Sequence, residues 1–125
     1  MKKYIFSIAM LALAVQGYSQ SAEKGKKIYS QVCIACHQTT GQGIPSAFPP
    51  LAKSDYLNKD VNRAIKGVVK GLKGPITVNG KKFNGEMPIQ TLSDQQAADV
   101  MTYVYASWGN NKTVVTPAMV KAQRK

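Results

Sequence analysis

Cys33-Ile34-Ala35-Cys36-His37 confines both cysteines and the only histidine of a 125-residue chain to five consecutive positions. Any fold for this chain must serve that cluster. Two thiols two residues apart suit a disulfide, a thioredoxin-like redox pair, half of a zinc site or, with histidine immediately following, covalent attachment of a c-type haem. Zinc lacks a third cysteine or second histidine to complete a usual structural set, so a carboxylate would have to substitute. The thioredoxin arrangement needs a preceding strand, whereas the residues before Cys33 follow a helical period. Haem attachment needs nothing the chain lacks. On one helical turn the two sulfurs can each form a thioether with a vinyl group, and the next imidazole can turn toward the iron.

The start of the chain agrees with that chemistry. Met1-Lys2-Lys3 and the apolar run from Ile5 to Val15 read as a secretory signal peptide, too short to span a bilayer comfortably. Small residues at Gly17 and Ser19 place cleavage near residue 19. Residues 1–19 are therefore read as a leader, 20–110 as one domain, and 111–125 as a basic C-terminal extension with a short helix. Export to the periplasm would put the thiols where c-type haem is attached. Losing Lys2 and Lys3 lowers the formal charge from +11 to +9, of which ionised haem propionates would offset about two. The lysines are dispersed along the chain, which describes a generally basic surface for acidic protein partners or the surface of an anionic membrane. Export argues against nucleic acid.

Ser21 is placed to cap a first helix running to about Ile34, with Ile28, Tyr29 and Val32 on one face. Gly25 inside it costs about 1 kcal/mol relative to alanine, which close approach of a crossing helix would justify. Thr39 to Pro50 is loop, rich in glycine and proline, and the Pro50 carbonyl is a candidate partner for the second nitrogen of His37. Ser54 caps a short turn through Leu57. A second helix spans about Asp60 to Lys70, with Val61, Ala64, Ile65, Val68 and Val69 on its apolar stripe and Gly71 beyond its end. Asn79-Gly80 between Ile76-Thr77-Val78 and Lys81-Lys82-Phe83 forms a tight β-hairpin. Met87 follows in a loop outside any periodic segment, where a thioether suits a second iron ligand better than core filling. Ser93 and Gln96 make a capping box for the strongest helix, whose face runs through Ala97, Val100, Met101, Val104, Tyr105 and Trp108. Thr116-Pro117 starts a short, frayed helix.

Taken together, CIACH, GQGIPSAFPPL, NGEMP and VMTYVYASWGN resemble the haem motif, proximal loop, methionine loop and last helix of a monohaem class I cytochrome c, over roughly residues 21–110. GPITVNGKKFNGEMP and VTPAMV are most similar to bacterial members that occur as small carriers or as modules joined to dehydrogenases and copper nitrite reductases. The resemblance implies an all-α cytochrome c fold of about four or five short helices around one covalent haem c, with a small hairpin before the methionine loop. It implies thioethers at Cys33 and Cys36, axial iron ligands at His37 and Met87, and Pro50 as carbonyl partner of His37. It also implies that the first and last helices cross around Gly25 and Tyr105. The function expected is one-electron transfer in a respiratory chain by a monomeric, non-catalytic carrier. A peroxidase-like or gas-binding haem module, or a cytochrome subunit of a periplasmic dehydrogenase or reductase complex, is the alternative. Without haem, about a hundred residues bury a modest core, and the apoprotein is expected to be largely disordered.

Overall fold

The computed structural model describes residues 2–125, and side chains for Leu13 and residues 16–125. Most side chains of the apolar run over residues 5–15, read from the sequence as part of a leader, lie outside it. Helix α1 spans Lys2–Ile28 and continues through a π-helical segment, Tyr29–Cys33, into α2, Ile34–His37. Then follow α3 (Asp55–Lys59), α4 (Val61–Lys70), four short strands, α5 (Asp94–Ala106) and α6 (Pro117–Ala122). The fold is helix-rich with one small hairpin, as expected. Among the described residues, no helix is long and apolar enough to cross a membrane.

The main packing unit is α1 crossing α5. Gly25 makes the crossing possible, because a Cβ there would run into the Asp99 carbonyl and meet Tyr103 Cβ at 2.7 Å. The partner is therefore Tyr103. Tyr105, expected at this crossing, faces the opposite side of α5, where it is fully buried and its hydroxyl donates to the Leu57 carbonyl at 2.7 Å. Burial, with the Asp60 carboxylate nearby, pushes its phenol up to about 12. Below the crossing, Tyr29, Tyr103 and Trp108 form an aromatic triangle with centroids 5.2–5.6 Å apart, separations that favour tilted and edge-on contact. Ser21 caps nothing. Helix runs through it, and its hydroxyl donates to the buried Asp99 carboxylate at 2.6 Å, stitching α1 to α5.

Local signals hold elsewhere. Ser54 accepts from the Leu57 N–H and Asp60 from the Arg63 N–H, capping α3 and α4. Strands β2 (Ile76–Val78) and β3 (Lys81–Phe83) pair antiparallel with Ile76 opposite Phe83. Asn79 and Gly80 have φ of 51° and 78°, as a two-residue hairpin turn requires. A second ladder, β1 (Leu72–Lys73) with β4 (Glu86–Met87), sets Leu72 opposite Met87. Its two-residue strands are too short for the sequence pattern to reveal. The C-terminal segment is packed, contrary to the expected fraying. Val115 and Val120 join the core, and Thr102 Oγ1 both accepts from the Val115 N–H and donates to its carbonyl.

A larger residue at Gly25 must separate α1 from α5. Gly25→Val should destabilise the haem-loaded protein by at least about 1–3 kcal/mol, the usual cost of overpacking. A guanidinium titration reads it directly, and an unchanged midpoint would mean the crossing is looser than described.

Candidate functional site

Two adjoining clefts, with free volumes of about 80 and 260 Å³, share Cys33, His37, Pro49 and Met87 in their walls. A single water needs only about 10–15 Å³, so this space is ligand-sized. The remaining wall is mainly apolar, with Leu51, Leu57, Val100, Met101 and Val104 on one side and Phe48, Ile76 and Phe83 among the residues on the other. Such a concavity suits a large, flat, apolar group.

Cys33, His37 and Met87 line both clefts, and Cys36 the larger one. Cys33 is half-buried, Cys36 exposed, and both are free thiols. Burial, reinforced by the neighbouring Cys36, pushes the Cys33 thiol up to about 11. The π-helical segment just upstream changes the helical phase by one residue before the motif. Tyr29, buried in that segment, donates to the Gln38 carbonyl at 2.6 Å and so anchors the chain immediately after His37.

His37 is buried, and its Nδ1–H donates to the Pro49 carbonyl at 2.9 Å. This corrects the expectation of Pro50. The Leu51 N–H donates to the Gly41 carbonyl at 2.7 Å, and in the trans Pro50–Leu51 peptide this directs the Pro50 carbonyl the opposite way. Pro50 still lines the cleft through its ring. Burial lowers the imidazole's pKa and the Pro49 bond partly opposes this, so the ring is held neutral with Nε2 available. Neutral imidazole with its other nitrogen fixed is a ligand-ready arrangement.

Gly43, not singled out in the sequence, completes this side. Its N–H donates to the His37 carbonyl at 3.0 Å, its φ is +65°, and an added Cβ would meet the Pro49 carbonyl oxygen at 2.9 Å. One glycine thus sits against both ends of the His37–Pro49 unit. Arg63 is likewise absent from the sequence reading. Among the described residues it is the one full cation in the wall of the smaller cleft, lying 3.7 Å over the Tyr56 ring and donating to the Tyr56 carbonyl. Helical spacing leaves it off the apolar stripe of α4, and nothing local marks it as part of a site.

Residues 22–108 match the cytochrome c family. The chain belongs to that family. It is 37% identical over 139 residues to a cytochrome c-552 of Thermus thermophilus, covering 93% of each chain. A second Thermus thermophilus cytochrome c-552 is 39% identical over 124 residues, covering 81% of this chain and 94% of that one. The cytochrome c subunit of the quinone alcohol dehydrogenase of Gluconobacter oxydans is 34% identical over 91 residues, covering 70% of this chain but 19% of the subunit. This cytochrome is an electron carrier and holds haem c, with its iron, by covalent attachment. The apolar cleft beside two free thiols and a neutral imidazole fits that group.

Gly43→Ala should cost about 1–2 kcal/mol for the left-handed backbone alone, with displacement of the Pro49 carbonyl added. Gly85→Ala is the control, since its Cβ would meet only the Ala47 carbonyl at 3.7 Å. Denaturant unfolding of the two haem-loaded variants should separate them, and equal midpoints would remove Gly43's role.

Proposed function

We propose that this cytochrome is an exported, monomeric one-electron carrier of a respiratory chain, with haem joined at Cys33 and Cys36 and iron ligated by His37 and Met87. The observation carrying this reading is the cleft wall shared by Cys33, His37 and Met87, with Nδ1 of His37 already committed to Pro49. The bound group supplies exchange of one electron between ferrous and ferric states. The chain supplies the rest. His37 and Met87 would be the residues that ligate the iron, the apolar wall would keep water away, and Arg63 in the cleft wall would offer a cation to a haem carboxylate. With both residues committed to the iron, peroxidase-like and gas-binding roles would lose their substrate site, and the protein is read as non-catalytic.

The free-carrier reading takes its support from the two cytochromes c-552, 93% and 94% of whose length this chain matches. Partners reach the open cleft past exposed Val32, a wall residue, and Ile89, which follows wall residue Pro88. Exposed lysines, among them Lys81 and Lys82 on the hairpin, steer acidic redox proteins toward the molecule. The same charge supports peripheral contact with an anionic membrane in the periplasm, and no nucleic acid is involved.

Met87→Ala should abolish the methionine-to-iron absorption band of the oxidised protein near the red end of the spectrum. Retention of that band would refute the ligand assignment. Loss of both thioether sites in a Cys33→Ala, Cys36→Ala double variant should leave a haem-free chain without native helical circular dichroism, because the cleft then exposes its apolar wall. A native-like spectrum would show that the protein core suffices alone.

A further inference from the structure

The C-terminal segment has no part in the carrier chemistry described so far, yet it reaches the loop that bears Met87. Between Met87 and α5 the chain meets two ties. The Gln90 N–H donates to the Val68 carbonyl of α4 at 3.0 Å. Arg124, beyond α6, then donates from Nη2 to the Leu92 carbonyl at 2.7 Å and from Nε to Asp94 Oδ1 at 2.6 Å. One guanidinium therefore bridges the end of the loop and the first residue of α5. Leu92 itself lines the cleft with Met87.

Helix capping does not explain this placement. Ser93 and Gln96 already cap α5 reciprocally, and a cation beside a helix N-terminus opposes the helix dipole. The planar fork instead matches two acceptors on neighbouring residues, which a point-charge ammonium reproduces poorly. Arg124 is carried there by fully buried Val120 and by Val115, and the following Lys125 carbonyl accepts from Lys70 Nζ at the end of α4. From α4 the chain passes Gly71 into β1, whose Leu72 pairs with Met87. The tail thus grips both elements that hold the methionine.

We propose that Arg124 is a positioning residue for Met87, fixing the exit of the methionine loop so that the thioether stays directed into the cleft. This rests on Met87 being the second iron ligand. Losing the fork raises the fraction of molecules with the loop open, and an external ligand binds in proportion to that fraction.

The test uses the oxidised haem-loaded protein with imidazole as the competing ligand. Arg124→Gln should bind imidazole about three- to tenfold more tightly, the range expected for losing one ordinary hydrogen bond at a partly exposed site, and should surrender the methionine-to-iron band at correspondingly lower imidazole. Arg124→Lys should fall between it and the parent. Gly25→Ala, which weakens the distant α1–α5 crossing, should lower the denaturation midpoint without a comparable gain in imidazole affinity. Unchanged affinity in Arg124→Gln would overturn the proposal, as would an equal gain per unit of lost stability in Gly25→Ala. If the parent lacks a band that depends on Met87, the ligand assignment falls and this proposal falls with it, whereas a Met87-dependent band with indifferent Arg124 variants defeats the positioning role alone.

Discussion

The apolar cleft is a surface the polypeptide does not fill with its own side chains. Leu51, Leu57, Val100, Met101 and Val104 line it from two stretches far apart in sequence, and each would keep more contacts if the walls closed. Open apolar space forfeits dispersion contacts and adds a free-energy cost that grows with cavity size. Covalently held haem reverses the sign of that cost by supplying the missing apolar partner. The architecture follows from keeping the walls apart until the group is in place. The helix crossing at Gly25 joins the first and last thirds of the chain on one side, and the loop after the haem motif closes another.

Those two regions use backbone proximity in different ways. At the crossing, a missing side chain lets two helices approach, so Gly25 acts through packing. In the proximal loop, Gly43 lets a carbonyl approach an imidazole, so it acts through hydrogen-bond geometry. The aromatic triangle links the regions, since Tyr29 packs on Tyr103 from α5 while its hydroxyl holds the carbonyl just after His37. Strain at the crossing would therefore reach the histidine through one rigid side chain.

Features governed by neighbours in sequence were legible. The Asn79-Gly80 turn and the caps at Ser54, Ser93 and Thr116 each depend on residues within a few positions, and each appears in the structure where the sequence puts it. Features decided by tertiary register were not. Pro49 and Pro50 are chemically alike, and only the bond from Leu51 to Gly41 decides which carbonyl turns toward His37. Tyr103 and Tyr105 lie two residues apart on one helix and so on nearly opposite faces, and periodicity, which rightly buries Tyr105, does not say which of them meets Gly25. Ser21 has every local mark of a cap, but helix continues through it and its hydroxyl goes to Asp99. The two-residue ladder under Met87 and the fork of Arg124 join segments distant in sequence with no local pattern to announce them.

The two sides of the cleft are consequently held in unequal ways. His37 ends a helix, follows both cysteines, and is fixed by Pro49, Gly43 and Tyr29, all within twelve residues of it. Met87 sits on a two-residue strand whose support comes from α4 and from the far end of the chain. Anchorage within one stretch of chain survives the loosening of distant segments, whereas long-range anchorage fails whenever either partner segment loosens. The histidine side is thus the constant part of this cytochrome, and the methionine side is where changes in distant residues can alter the site without touching it.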